Sequence, residues 1–391
     1  MLAGFLFQPT IVIADSAEQI RALRAEIEAL SRRLNQLEQA NLETAEDLVA
    51  VKESTDSSSW ADRIKLGGDF RFRHERIDED GLPTRDRQRI RARTSVTAKL
   101  SDTVKVGIGV ASGGDNPVST NQTLGDGGST KDLGLDLAYF DWAATRDLHL
   151  LGGKFKNVFY RPGKSGLIWD PDLNTEGLGL SYDSGGFFGA VTGLWVEERS
   201  QDSDSFVLAG QAGYSTRVGD GTKLKFGAGY YDFSIAKGQE PFFDGNGRGN
   251  TLDADGNYAF GFEELQAFAE LGFQVTGLPA TVYLDYVKNM DGGEFDTGWG
   301  VGGKLGKASK PGSWEIGYEY RDLEADAVVA LFTDSDFAGG GTDGFGHILK
   351  GGYAFTDSWV FKLTYFLNER GENAGNKRDF NRLMADLSFK Y

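Results

Sequence analysis

From Ile64 to the end, the chain reads as a series of segments in which apolar and polar side chains alternate. The last segment, Asn381 to Tyr391 (NRLMADLSFKY), shows the rule. Leu383, Ala385, Leu387, Phe389 and Tyr391 fall on one parity, and Arg382, Asp386, Ser388 and Lys390 on the other. A period of two is a strand with one apolar and one polar face. Such strands must pair with neighbours, and an even set of them can close on itself and leave no edge.

About sixteen strands are expected: Ile64–Ile77, Asp86–Leu100, Thr103–Gly113, Asp132–Ala144, Leu148–Phe159, Glu176–Asp183, Phe187–Glu198 and Ser205–Arg217, then Lys223–Phe233, Phe262–Val275, Ala280–Asn289, Thr297–Lys307, Ser313–Leu323, Phe345–Phe355, Trp359–Asn368 and Arg378–Tyr391. Their connections are expected to alternate strictly. Ser101–Asp102, Thr145–Arg146, Ser184–Gly186, Gly219–Gly221, Gly277–Pro279, Ala308–Gly312 and Thr356–Ser358 are short. Between them lie longer loops rich in Gly and Asp, such as Gly114–Lys131, Ser234–Gly261 and Glu324–Gly344. A soluble sandwich has no reason to sort its loops by parity, whereas an all-β transmembrane barrel does. Aromatic residues Trp314, Tyr353, Phe355, Trp359 and Tyr391 gather at the short-turn rim, where a girdle at the lipid–water boundary would sit.

Composition fits a barrel. Mean hydropathy is −0.36 and no run of about 18 apolar residues exists, so a spanning helix is excluded. A barrel hides from such averages because only alternate residues face lipid. The absence of Cys excludes a disulfide framework and thiol chemistry, and a net charge of −17 argues against a nucleic-acid partner.

The first part of the chain differs. Met1–Ala14 (MLAGFLFQPTIVIA) is apolar but too short to span, and reads as the core of a secretory signal cleaved near Ala14 to Ala17. The stretch 18–53 carries heptads. Ile20, Ile27, Leu34, Asn41 and Leu48 are spaced by seven and interleave with Leu23, Leu30, Leu37, Thr44 and Val51. This is an α-helical coiled coil, with Asn41 at a register-fixing position. Residues 54–63, beginning in the polar run Glu53–Ser59, form a linker, and 64–391 the barrel.

The strings GKFKNVF (Gly153–Phe159), GLIWDPDLNTEGLGLSY (Gly166–Tyr182), YEYRDLEADAV (Tyr318–Val328) and FTDSDFAGGGTDGFGH (Phe332–His347) resemble the bacterial "putative porin" family of outer-membrane proteins. The resemblance covers Trp60–Tyr391. It implies a trimeric porin-like barrel embedded in outer-membrane lipid and lipopolysaccharide, passing small hydrophilic solutes, with Leu387, Phe389 and Tyr391 as the terminal assembly signal. On this reading the coiled coil lies in the periplasm and either clamps the trimer or reaches the cell wall.

Parity then sorts the charges. In the second strand Ile90, Ala92, Thr94, Val96, Ala98 and Leu100 face lipid, so Arg87, Arg89, Arg91 and Arg93 line the lumen. On the first strand Phe70 and Phe72 face out, leaving Asp69, Arg71 and Arg73 inside; Lys154 and Lys156 are expected to bracket an outward Phe155. A charge on the lipid face near mid-bilayer would cost ~2–4 kcal/mol, which favours the inward assignment. The third long loop, Tyr160–Thr175, is expected to fold into the lumen by analogy with general porins, with Asp170 and Asp172 facing this basic wall. The alternative pairs the arginines with lumen acids Glu264, Glu270, Asp285, Glu315 and Glu319.

No catalytic residue or cofactor is assigned. His74, His149 and His347 stand in no motif, and a barrel enzyme would need one of them beside a nucleophile. The run Asp244–Asn257 (DGNGRGNTLDADGN) is rich in oxygen ligands, but Arg248 occupies a ligand position of an EF-hand loop, so no metal is assigned. A membrane-anchored tether acting through the coiled coil is the rival to a channel.

Overall fold

The computed structural model describes residues 21, 24–26, 28–40, 60–201 and 203–391. It divides into two units, Met1–Arg63 and Ile64–Tyr391. In the first unit residues 24–26 and 28–40 are helical, and Leu30, Leu34 and Leu37 on that helix are exposed. Trp60–Arg63 forms a 3-10 turn inside the expected linker. The signal at 1–17, the heptad residues Ile20, Leu23, Ile27, Asn41, Thr44, Leu48 and Val51, and the run Glu53–Ser59 lie outside the described residues.

The second unit is one antiparallel sheet closed into a barrel. In chain order its strands are β1 (Ile64–Glu79), β2 (Arg85–Lys99), β3 (Val104–Ser112), the two-residue β4 (Gln122–Thr123), β5 (Leu133–Ala143), β6 (Leu148–Lys156), β7 (Asn174–Ser184), β8 (Phe187–Glu197) and β9 (Ser205–Arg217). They continue with β10 (Lys223–Phe233), β11 (Phe262–Val275), β12 (Leu278–Asn289), β13 (Thr297–Gly306), β14 (Trp314–Leu323), β15 (Gly344–Ala354), β16 (Trp359–Arg370) and β17 (Arg378–Lys390). Sixteen of these build the wall. β4 is a strap from a loop that pairs with β2 through Arg89 and Ile90, beyond the reach of β3.

β1 closes the barrel by pairing with β2 on one side and β17 on the other, placing Phe72 opposite Leu387 and Arg73 opposite Asp386. Tyr391 completes the seam, its backbone exchanging hydrogen bonds with Gly68 at 3.1 and 3.2 Å. A closed ladder satisfies every strand's backbone groups, the condition for a sheet in hydrocarbon. Four aromatic rings on and beside β15, β16 and β17 form a contiguous cluster at the short-turn rim: Tyr353–Phe355, Phe355–Trp359 and Trp359–Phe389 have centroids 5.1, 4.7 and 5.5 Å apart.

The four longest connections, 113–132, 157–173, 234–261 and 324–343, all lie at one end. The expected strict alternation of loop length does not hold throughout. The loop 80–84 at that end is shorter than the turn 307–313 at the other.

The interior is not uniformly wet. Leu167, Ile168 and Trp169 from one loop, Phe242 and Tyr258 from a second, and Val328, Val329 and Leu331 from a third pack together. They rest on inward-facing Phe155, Leu194, Val207, Tyr231, Phe233 and Val287. An apolar plug therefore fills one side of the lumen.

Candidate pore constriction

The opposite side of the lumen is a wall of arginine. Inward positions of β1, β2 and β17 contribute Arg71, Arg73, Arg87, Arg89, Arg91, Arg93 and Arg382, together with Asp69, Glu75 and Asp386. Parity alone brings these side chains together, because facing residues in register share one face. Arg73 grips Asp386 with both Nε (2.6 Å) and Nη2 (2.9 Å). Glu75 accepts hydrogen bonds from Arg87 and Arg382, and Arg89 Nη1 approaches it at 3.4 Å. Asp69 joins Arg91 (2.9 Å) to Arg93 (2.8 Å).

Three loops reach this wall. Asn121 Oδ1 accepts from Arg71 Nη2 at 2.5 Å. Asp172 takes Arg93 Nη1 at 2.9 Å on one oxygen and Arg91 Nη1 at 3.1 Å on the other. Asp336 does the same one level further along, with Arg382 Nη2 at 2.9 Å and Arg73 Nη1 at 3.1 Å. Burial alone would raise the Asp336 carboxyl; Arg382 and Arg73 overcome that and hold it well below the usual carboxylate range. Asp336 and Ser335 separate two cavities. One, of about 800 Å³, is lined by Asp69, Arg91, Arg93, Asp172 and Lys362. The other, of about 390 Å³, lies among the strand ends and loops on the long-loop side.

The loop carrying Asp172 is anchored across the lumen. The backbone of Tyr160 exchanges two hydrogen bonds with the Gln211 amide, at 2.7 and 2.9 Å. The N–H of Gly163 donates to Glu270 at 2.7 Å. Thr333 Oγ1 donates to the carbonyls of Gly166 and Leu167, both at 2.9 Å, and the Asp170 N–H donates to Phe332 O at 2.7 Å. The loops 157–173 and 324–343 are thus joined before either meets the wall. The loop 234–261 is joined to 324–343 through Asn250, whose amide donates to Ala325 O (2.7 Å) and Val328 O (2.9 Å).

The expected site residues separate into groups. Arg71, Arg73, Arg87, Arg89, Arg91 and Arg93 stand in the wall, and Asp172 touches it. Asp170 does not: it is buried behind the loop surface, where its carboxylate accepts the N–H groups of Asp172 (2.7 Å) and Ser335 (2.9 Å). Burial, then Asp334 and Asp172, push its carboxyl well above the usual range.

Lys154 is not in the lumen either. Phe155 is 1% exposed inside the barrel, and Lys154 lies opposite Glu176, 2.8 Å away, on the sheet face that carries Leu178 and Leu180. The rule that aromatics face out fails there because the plug gives Phe155 an apolar partner inside. Lys156, at the end of β6, borders the larger cavity.

The expected lumen acids do not pair with the arginine wall. Glu264 is buried and accepts the N–H of Val329 at 2.9 Å, and Asp285 accepts from Gln266 at 2.7 Å. Glu319 is clasped by Arg321 (2.7 Å) and Lys350 (3.2 Å). Glu270 anchors Gly163, and Glu315 lies 3.6 Å from Lys362. The residues missed were Glu75, Arg382, Asp386, the loop residue Asn121, and Asp336. The first three follow from the same parity rule applied to β1 and β17. Asp336 belongs to a loop, and no periodicity points to it.

The three histidines stay apart: His74 meets Gln88, His149 meets Asp141, and His347 meets Tyr318. In the run Asp244–Asn257, Asp253 accepts the N–H groups of Asp255 (2.9 Å) and Asn257 (3.0 Å), and Arg248 pairs with Asp244.

Solved structures that share the fold include the high-pH structure of Pseudomonas putida OprB (13% identity, TM-score 0.58, covering 84% of this chain and 94% of that one) and Salmonella typhi OmpF in complex with daunomycin (11%, 0.54, 84% and 97%). A search of curated protein sequences gave no match. A family model described as "Putative porin" matches residues 78–251 and 251–391, nearly the whole barrel, and the chain therefore belongs to that family of bacterial outer-membrane proteins.

Proposed function

We propose that the protein is a water-filled channel for passive diffusion of small hydrophilic solutes or ions, whose selectivity is set where loop acids face the arginine wall. One observation carries this reading. Asp172 and Asp336, from two different inward-folded loops, each bridge a pair of wall arginines on the free side of the lumen. Opposed fixed charges across a narrow passage create a transverse field, which orients dipolar solutes and discriminates by charge. Seven arginines face five carboxylates there, so the passage prefers anions. The test is conductance of the full-length protein in planar bilayers under a KCl gradient. Current with a reversal potential favouring chloride is expected, and folded, inserted protein that passes no ions would sink the channel.

A second reading concerns assembly. Leu30, Leu34 and Leu37 repeat in the 3–4 spacing on the described helix and are exposed. Such a stripe supports self-association of the helical segment, either clamping a homotrimer or serving a tether to the cell wall. Deleting residues 20–51 should lower the temperature at which the oligomer dissociates. An equally heat-resistant oligomer would remove the clamp, and a non-conducting barrel that binds cell wall would favour the tether.

A further inference from the structure

The smaller cavity on the long-loop side of Asp336 differs in character from the paired wall below it. We propose that it is a capture site for organic monocarboxylates with an apolar body, placed ahead of the constriction. The inference rests on the channel reading for its purpose but not for its chemistry.

Five arginines border this cavity of about 390 Å³: Arg85, Arg87, Arg89, Arg370 and Arg382. Two carboxylates border it with them, and both are already engaged. Glu79 meets Arg378 at 3.1 Å, and Asp336 holds Arg73 and Arg382. Glu75, behind the cavity wall, is shared among Arg87, Arg89 and Arg382. Arg85 and Arg370 have no carboxylate partner among the described residues, and the buried Nε of Arg89 has no acceptor. A buried guanidinium N–H without an acceptor carries a desolvation cost that an incoming carboxylate oxygen would relieve.

The rest of the lining is mixed: Asn116, Ser119 and Ser335 are polar, while Ile77, Leu82, Pro83 and Phe380 form an apolar patch, and the Arg370 guanidinium lies 6.0 Å from the centre of the Phe380 ring. The volume falls within the ~300–1,000 Å³ typical of small-molecule sites. Guanidinium groups without a carboxylate partner beside this apolar patch select a ligand with one anionic end and one apolar end. Inorganic anions satisfy only the first condition and neutral sugars neither.

Benzoate is the probe. Full-length protein in detergent is titrated by calorimetry with benzoate, benzyl alcohol and inorganic phosphate. Benzoate should bind more tightly than both, and R85Q/R370Q should weaken it by about tenfold, the factor that corresponds to ~1.4 kcal/mol. R217Q, remote from this cavity, should leave benzoate binding unchanged. In bilayers, benzoate added from the long-loop side should reduce the KCl current. Benzyl alcohol binding as well as benzoate, or R217Q weakening it as much as R85Q/R370Q, overturns the site. If calorimetry shows arginine-dependent binding but no KCl current is seen, the capture site stands and the channel reading falls.

Discussion

Asp170 Oδ2 accepts the backbone N–H of Ser335 at 2.9 Å, and this bond fastens one long loop to another far along the chain. Its Oδ1 holds the N–H of Asp172 at 2.7 Å, so the same carboxylate sets the angle at which Asp172 faces the wall.

A pH dependence follows from the sign of the Asp170 shift. Its carboxyl is raised by burial and by its acidic neighbours, so the packed loops favour the protonated form. Its contribution to loop docking is fully present below the ordinary carboxylate value of about 3.9 and is lost as pH rises through the raised value. Asp336 has the opposite sign: its contribution is present above the ordinary value and lost only in strong acid. Acidifying from neutrality towards the ordinary carboxylate range should therefore quieten current fluctuations from loop undocking, and D170N should flatten that response. More frequent fluctuations on mild acidification would contradict the assignment.

Selectivity should move in opposite directions for the two sides of the constriction. R89A/R91A removes two positive charges from the wall, and the reversal potential in a KCl gradient should shift towards cations. D172A or D336A frees two arginines each and should shift it towards anions. D336A acts between the two cavities and should also raise conductance more than D172A. Reversal potentials that do not respond to any of these would misplace the constriction.

Barrel closure depends on a residue without a side chain. A Cβ on Gly68 would meet Arg93 O at 2.3 Å and the Tyr391 hydroxyl at 2.5 Å. The ring of Tyr391 lies there because its hydroxyl bonds Thr94 Oγ1, also at 2.5 Å. G68V should cost ~1–3 kcal/mol through overpacking and lower the temperature at which the barrel loses its heat-modifiable mobility on gels. G67A is the control, since the nearest atom to its Cβ would be 3.8 Å away.

The wall strands were legible because hydrocarbon imposes a rule on every second residue. Strand bounds such as Ser205–Arg217 and Lys223–Phe233 agree between sequence and structure to the residue. The arginine row on β2 followed from the same rule. Inside the barrel no such rule holds, since side chains there meet water, an ion or a folded loop. Phe155 and Lys154 exchanged faces for that reason. Asp170 and Asp172, two positions apart, took opposite roles because loop conformation, not periodicity, aims them. Asp336 was invisible because it sits on a loop without periodicity, and its partners Arg73 and Arg382 lie 263 and 46 positions away.

The plug should control how much of the lumen is open. Trp169 lies within ring contact of Phe159, Tyr231, Phe233 and Phe332, with centroids 5.3 to 6.4 Å apart, and is 3% exposed. These rings come from the loop 157–173, from β10 and from the loop 324–343, so one indole ties both loops to the wall. Truncating a buried aromatic of this size costs ~3–5 kcal/mol. In a plug held inside a closed sheet, that loss falls on the loops and leaves the wall's backbone ladder intact. W169A should therefore keep the barrel folded and inserted while raising conductance and the frequency of loop-opening events. W169F restores part of the packing and should fall between. The arginine wall is untouched in either variant, so the gain should come with weaker charge discrimination as Asp172 drifts from Arg91 and Arg93. If W169A instead fails to insert at all, the plug is required for the wall to close, and barrel and loops fold as one cooperative unit.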